Sequence, residues 1–267
     1  MSIIYLKDGL MRFQSLDSYK QQNRTGKGKI FEGQIIGLKE EVDNAYFFTN
    51  KGRFMPELKF LNDDEYVVSI SEIEKTLFLI TKNGYAKRIQ LKDINRPNMI
   101  MHLDDNDELV QVKATNGDDE LLIITAQGQG LRVHEDEFPV VGKSAKGVHA
   151  IKLLEDDCVT DCDVIGNDDK FFLISEYGKG KIIEPSEIMI HHRYRQGVTV
   201  MRLTDATGKL NRCKDIRDPE DIVVWTKNNR IIRVAPHQIP KFGRVSGGCT
   251  IISLNDDDKV IGVGNAN

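Results

Sequence analysis

LFLITKNGYAKRI, residues Leu77 to Ile89, decides the fold of this chain. Four apolar residues lead into Thr-x-x-Gly, and an alternating strand with basic residues follows. Gly84 supplies the positive φ that a tight turn needs and that other side chains resist, so the stretch reads as a β-hairpin. The same pattern recurs in IIYLKDGLMRF at Ile3, AYFFTNKGRFM at Ala45, LLIITAQGQGLRV at Leu121, FFLISEYGKGKII at Phe171 and IVVWTKNNRIIRV at Ile222. Their turn residues are Gly9, Gly52, Gly84, Gly128, Gly178 and Asn229, spaced by 43, 32, 44, 50 and 51 residues. A period of this size marks a repeat architecture.

A second glycine follows four of the turns at a constant offset of 19 residues: Gly28, Gly147, Gly197 and Gly248. The second and third copies lack this segment and run directly into LKFLNDDEYVV and MIMHLDDNDELV, which accounts for their shorter period. An apolar-x-Leu element, an acidic turn and a Val close the units, as in IISLNDDDKVIGV. Each unit holds enough short strands for a four-stranded sheet, and six such units predict an all-β, radially repeated disc spanning residues 1–267 as one domain. Pro139, Pro185, Pro236 and Pro240 fall between hairpin and second glycine, and Pro97 follows the third hairpin, where surface connections would run. No 3.6-residue periodicity supports a long helix.

Composition fits a globular chain: 40% apolar, 29% charged, formal net charge −4. Apolar runs of four or five residues are far shorter than the roughly 20 that span a bilayer. The opening MSIIYLKDG carries no signal core, so a cytoplasmic protein without membrane association is expected. Cys158, Cys162, Cys213 and Cys249 form neither a disulfide framework nor a CxxC knuckle and read as reduced structural thiols. The six histidines lack ligand spacing, so neither metal nor cofactor is expected.

The negative total conceals segregated charge. Residues 12–29 hold Arg12, Lys20, Arg24, Lys27 and Lys29 against Asp17 alone, and residues 81–96 hold Lys82, Lys87, Arg88, Lys92 and Arg96 against Asp93 alone. Residues 227–244 hold Lys227, Arg230, Arg233, Lys241 and Arg244 with no acid. In the fifth unit Lys179, Lys181, Arg193 and Arg195 face Glu184 and Glu187, with His191, His192 and Tyr194 able to add donors and a planar contact; in the fourth, Arg132, Lys143 and Lys146 are offset by Glu135, Asp136 and Glu137. Acids gather elsewhere, as Asp104, Asp105, Asp107 and Glu108, as Glu155, Asp156 and Asp157, and as Asp256, Asp257 and Asp258, and read as turn residues rather than as catalytic pairs. With blades in a common orientation, the rim is basic on an acidic body, which suits a phosphate backbone. Trp225 and the pairs Phe47–Phe48 and Phe171–Phe172 read as core.

The hairpin TKNGYAKR, the connection VVGKSAKGVHAIKL and above all QNRTGKG (Gln22 to Gly28) resemble the C-terminal domain of the DNA gyrase A protein, whose first blade carries the heptad Q-R-R-G-G-K-G, the gyrase A box. Gln22, Arg24, Gly26, Lys27 and Gly28 match the heptad; Asn23 and Thr25 depart from it. The resemblance covers essentially the whole chain. It implies a six-bladed β-pinwheel, propeller-like in outline with strands exchanged between blades, that wraps double-stranded DNA around a basic rim. It also implies, as partners, the gyrase ATPase subunit together with the catalytic part of the gyrase A protein. None of the seven tyrosines is expected to be catalytic. The rim set under this reading is Arg12, Lys29, Lys82, Lys87, Arg88, Arg96, Lys143, Lys146, Lys179, Lys181, Arg193, Arg195, Arg230, Arg233, Lys241 and Arg244, beside the box. Competing readings are the topoisomerase IV counterpart, which selects DNA geometry, and a WD- or kelch-type protein platform. A propeller hydrolase comes third.

Overall fold

The computed structural model describes residues 1–39, 46–58, 61–71, 76–90, 98–166, 170–216 and 220–266. They form six antiparallel sheets arranged as the blades of a ring. All six predicted turn residues sit at hairpin tips with positive φ, from 56° at Asn229 to 79° at Gly128. Phe47, Phe48, Phe171, Phe172 and Trp225 are buried.

The continuous apolar runs explain the ring. In Thr76–Thr81 every residue is buried, on both faces of the sheet. Phe78 and Ile80 pack with Leu121 and Ile123 of the next blade. Leu77 and Leu79 pack with Phe48 and Phe54 of the preceding one. The same division recurs around the molecule: Leu122 and Ile124 meet Phe171 and Leu173, and Phe172 and Ile174 meet Ile222 and Val224. At the closure Ile3 meets Val223 and Trp225, while Ile4 turns to Phe47 and Met55. Each of the six blade interfaces thus has its own core.

The segment around the second glycine belongs to the neighbouring blade. Val148–His149 pairs with Tyr85–Ala86 of the Gly84 hairpin, Val198–Thr199 with the Gly128 hairpin, and Cys249–Thr250 with the Gly178 hairpin. Lys29–Ile30, from the first unit, pairs with Arg230 and Ile231 of the sixth hairpin and closes the ring. The third unit departs from expectation: Asn98–Met99 pairs with Arg53 and Phe54 of the Gly52 hairpin, so this unit keeps the outer strand although it lacks the glycine. The first sheet has three strands among the described residues. Its missing outer strand is the one that the second unit, expected to lack the segment, would supply.

The second glycine is required by close approach. A Cβ on Gly147 (φ 91°) would lie 2.2 Å from the Ala86 carbonyl oxygen, and one on Gly248 (φ 75°) 2.6 Å from that of Gly180. The connection before each glycine runs along the outer edge of the neighbouring hairpin, as in Val141 N–H donating to the Arg88 carbonyl at 3.0 Å. Prolines 185 and 236 open short 3-10 turns there, Pro185–Glu187 and Pro236–Gln238.

Two of these connections are tied down by a buried lysine. Lys87 Nζ donates to the carbonyls of Gly142 (2.8 Å), Lys143 (3.2 Å) and Ala145 (2.9 Å). Lys181 Nζ does the same with Gly243 (2.9 Å), Arg244 (2.7 Å) and Ser246 (2.8 Å). Both side chains are fully buried, and burial lowers each lysine to about 8. Three accepting carbonyls match the three N–H bonds of an ammonium, which offsets that cost. In the fourth and sixth hairpins the same register holds the buried apolar Leu131 and Ile232. In the first it holds Arg12, which is exposed, with no loop covering it among the described residues.

The inner strands surround an axial cavity of about 860 Å³. Asp163 joins three blades there, accepting from Lys113 at 2.9 Å and Lys214 at 2.7 Å. Burial alone would raise its carboxyl, but the two ammonium groups hold it well below the usual carboxylate range.

These contacts set the expected effects of substitution. Gly147→Ala should destabilise the fold by about 3 kcal/mol, combining a strained φ with the backbone clash, whereas Gly9→Ala, with open space around its Cβ, should cost about 1 kcal/mol. Urea denaturation of both variants compares them, and equal losses would exclude the packing role. Lys87→Ala strands three carbonyls and should cost about 3 kcal/mol, read as a lower thermal midpoint.

Candidate nucleic-acid interface

The perimeter is built from four loops, 22–28, 141–147, 191–197 and 242–248, each ending on its second glycine. The first and third share one set of hydrogen bonds. Gln22 N–H donates to the Arg233 carbonyl at 2.7 Å, and His191 N–H to that of Arg132 at 3.0 Å. Thr25 N–H donates to Ile251 at 2.8 Å and Tyr194 N–H to Ala150 at 2.6 Å, while the Gly26 and Arg195 carbonyls accept from Ser253 (3.0 Å) and Lys152 (2.9 Å). Thr25 and Tyr194 both take positive φ, 72° and 63°.

Arginines four residues before the glycine bind these loops head to tail. Arg193 Nη1 donates to the His149 carbonyl at 3.3 Å, Arg244 Nη1 to that of Thr199 at 3.1 Å and Arg24 Nη1 to that of Thr250 at 3.5 Å. Each acceptor is the second residue of the outer strand supplied by the preceding unit. The guanidinium bodies therefore line the perimeter in order, with part of each exposed.

Placement divides the predicted cations into groups. Arg12, Lys27, Lys29, Lys143 and Arg195 face solvent, with Lys29 Nζ 5.9 Å from the Tyr19 ring. Lys82 is exposed and 3.9 Å from Glu108. Lys179 donates to Thr250 Oγ1 at 2.6 Å, and Arg230 Nη1 donates to the Lys27 carbonyl at 3.2 Å. Lys146 pairs with Asp104 and lies 3.6 Å from the Tyr85 ring centroid; Lys241 pairs with Glu184. Arg88 is held by Glu135 at 3.2 Å and Arg233 by Asp221 at 2.6 Å, both largely covered. Lys87 and Lys181 are corrections to the rim set, because their ammonium groups point inward at loop carbonyls and are closed to any surface ligand. Arg96 lies outside the described residues.

Within the box, Gly26 lies against Asn23 and Ile232, so a Cβ there would be 3.3 Å from the Asn23 carbonyl. A Cβ on Gly28 (φ 68°) would lie 2.9 Å from the Ile231 carbonyl. Gln22 turns its side chain inward, and its Nε2 is buried without a partner. Gln22, Gly26 and Gly28 thus shape the loop, and Arg24 and Lys27 carry its charge.

Sequence reasoning missed Lys152 and Arg202, both exposed and each donating its backbone N–H to the loop of the next unit. Their common position, five residues after a second glycine, could have flagged them. The acidic turns are turn chemistry, as expected: Asp157 Oδ1 accepts from the N–H of Gln127 and of Cys158, and Asp258 Oδ1 from those of Asn228 and Lys259. Burial pushes the Cys162 and Cys213 thiols well up. Among the described residues no group of three or more His, Cys, Asp or Glu is placed to hold a metal ion, and no helix is long and apolar enough to cross a membrane.

Comparison with known proteins agrees with this geometry. The family model for the DNA gyrase C-terminal domain, a β-propeller, matches residues 14–31, 75–116, 119–165, 169–212 and 220–267. The gyrase A protein of Aminobacterium colombiense is 35% identical over 97% of this chain and 36% of its own length. That of Staphylococcus epidermidis is 28% identical over 94% of the chain and 32% of its length. The chain therefore spans about a third of these relatives. A solved gyrase A C-terminal domain superimposes with a TM-score of 0.91 over 100% of this chain and 99% of that one at 20% identity. A topoisomerase IV C-terminal domain gives 0.77 over 99% and 92% at 22% identity. With its six interlocked blades and a family match across most of its length, the chain belongs to the DNA gyrase C-terminal domain family.

Proposed function

We propose that the whole chain acts as one unit that binds duplex DNA along this perimeter and wraps it without sequence specificity, as the supercoiling module of a gyrase A protein. The carrying observation is the head-to-tail series of Arg193, Arg244 and Arg24, which orders four loops around a closed ring and leaves Lys27, Lys143 and Arg195 facing outward. Cations on a convex surface neutralise successive phosphates only if the duplex bends around it, and such contacts carry no base information. Of the fourth unit's three cations only Lys143 is left outward, because Arg132 is occupied by Glu120 at 2.6 Å and Lys146 by Asp104. On this reading the domain has no catalytic residues, and acts in the cytoplasm beside the ATPase subunit and the catalytic part of the gyrase A protein.

A second reading, the geometry-selecting domain of a topoisomerase IV, draws on the box itself. Asn23 replaces an arginine of the heptad, and Thr25 replaces a glycine at φ 72°. Religation of a nicked plasmid in the presence of the protein separates the two: wrapping shifts the linking number, and its sign gives the hand.

Binding energetics supply a further prediction. With five to eight cations displacing counterions, log K should fall with log[salt] at a slope of roughly −4 to −7. A slope near −2 would favour a protein platform. Replacing both Arg24 and Lys27 with alanine should reduce the salt slope by about 1.8 and lower duplex affinity by roughly ten- to fiftyfold, leaving measurable binding because the other cations remain, yet abolish most of the linking-number shift. The box lies where the first unit closes onto the sixth blade, so its loss frees the end of the bent path. An undiminished shift would remove the box from the mechanism.

A further inference from the structure

We propose that Tyr194 is an uncharged DNA anchor: its ring packs against a sugar of the duplex backbone and its hydroxyl donates to a phosphate. This rests on the DNA-wrapping reading. Tyr194 stands in the same register as Thr25 of the box and takes the same left-handed conformation, φ 63°. A bulky side chain is disfavoured there, and the box heptad of the family has glycine at this position. The ring does not compensate by burial, for Tyr194 is 52% exposed. Strain of this kind persists where the surroundings over-determine it and points to a use.

The surroundings do over-determine it. Tyr194 N–H donates to the Ala150 carbonyl at 2.6 Å, and the Arg195 carbonyl accepts from Lys152 N–H at 2.9 Å, fixing the backbone on both sides. The ring packs against His149 with centroids 5.1 Å apart and planes tilted by 39°, and His149 packs against Tyr85 at 4.2 Å with a tilt of 33°. Lys146 Nζ lies over the Tyr85 ring, 3.6 Å from its centroid. Arg193 is anchored to the His149 carbonyl, and Arg195 is exposed beside it. A rigid aromatic side chain therefore projects from between two arginines on the outer edge of the ring, held at little further entropy cost on binding. A phenol has an apolar face for the deoxyribose and a donor for the phosphate oxygen.

Tyr194→Gly and Tyr194→Asn test this, because both residues accept positive φ. Neither variant should melt below the parent, since strain is relieved as the ring contact is lost. Duplex affinity at fixed salt should fall roughly fivefold, the loss of about one hydrogen bond. The salt dependence should shift in parallel with unchanged slope, whereas Arg195→Ala should reduce the slope by about 0.9. Affinity that falls only together with the melting temperature would mark a structural role and overturn the proposal, as would unaltered affinity in both variants. A parent protein that binds no duplex overturns the wrapping reading and this inference with it; a binding parent with unaffected variants overturns this inference alone.

Discussion

The first strand of each hairpin in this chain is apolar on both faces, and the architecture follows from that constraint. A strand with alternating pattern rests one face on a core and turns the other to water. Runs such as LFLI, FFLI and IVVW have no face for water, so each sheet needs a sheet on either side. An open stack leaves two terminal faces bare, and a ring leaves none. The contact of Ile3 with Val223 and Trp225 removes the last free face, which makes closure a condition of burying the first and sixth hairpins.

Stacking alone does not fix which loops reach the perimeter. That is set by handing each outer strand to the neighbouring blade, a step that depends on a glycine pressed against a carbonyl oxygen. Once Gly147 or Gly197 is seated, the seven residues before it must run along the outer edge of the previous hairpin. The loops become the outermost layer, and whatever charge they carry is displayed there. Because unit one supplies the outer strand of blade six, the box loop lies at the seam where the ring closes.

The turns, the repeat and the all-β disc were legible because they rest on local chemistry: positive φ, continuous apolar runs and constant spacing. The exchange of strands was not, since a period reads the same whether a segment returns to its own hairpin or to its neighbour's. Asn98–Met99 shows a second limit, for it pairs as an outer strand without the glycine that marked the others. The site was legible as a region but not residue by residue. Arg12, Lys87 and Lys181 stand at the same place after their turns, yet Arg12 is exposed and the two lysines are buried. What separates them is whether a loop from a later unit lies above, a property of a distant segment. Tyr194 shows the converse: its neighbours in sequence marked it only as a planar group among cations, and its left-handed backbone became visible only in the structure.

The charge of the molecule follows from the same layering. A formal charge of −4 describes neither face of the ring. Many acids are consumed by structure: Asp157 and Asp258 close hairpin turns, Asp163 joins three blades across the axis, and Glu135 and Asp221 hold Arg88 and Arg233. Cations are consumed too, Lys87 and Lys181 inside the loops that they tie down. What remains outward is not the sum of the composition but the residue of these pairings. At the perimeter Glu135 and Asp221 are buried, while Lys27, Lys143 and Arg195 face solvent. The exposed Lys143 thus depends on the buried Lys87, which holds in place the backbone from which it projects.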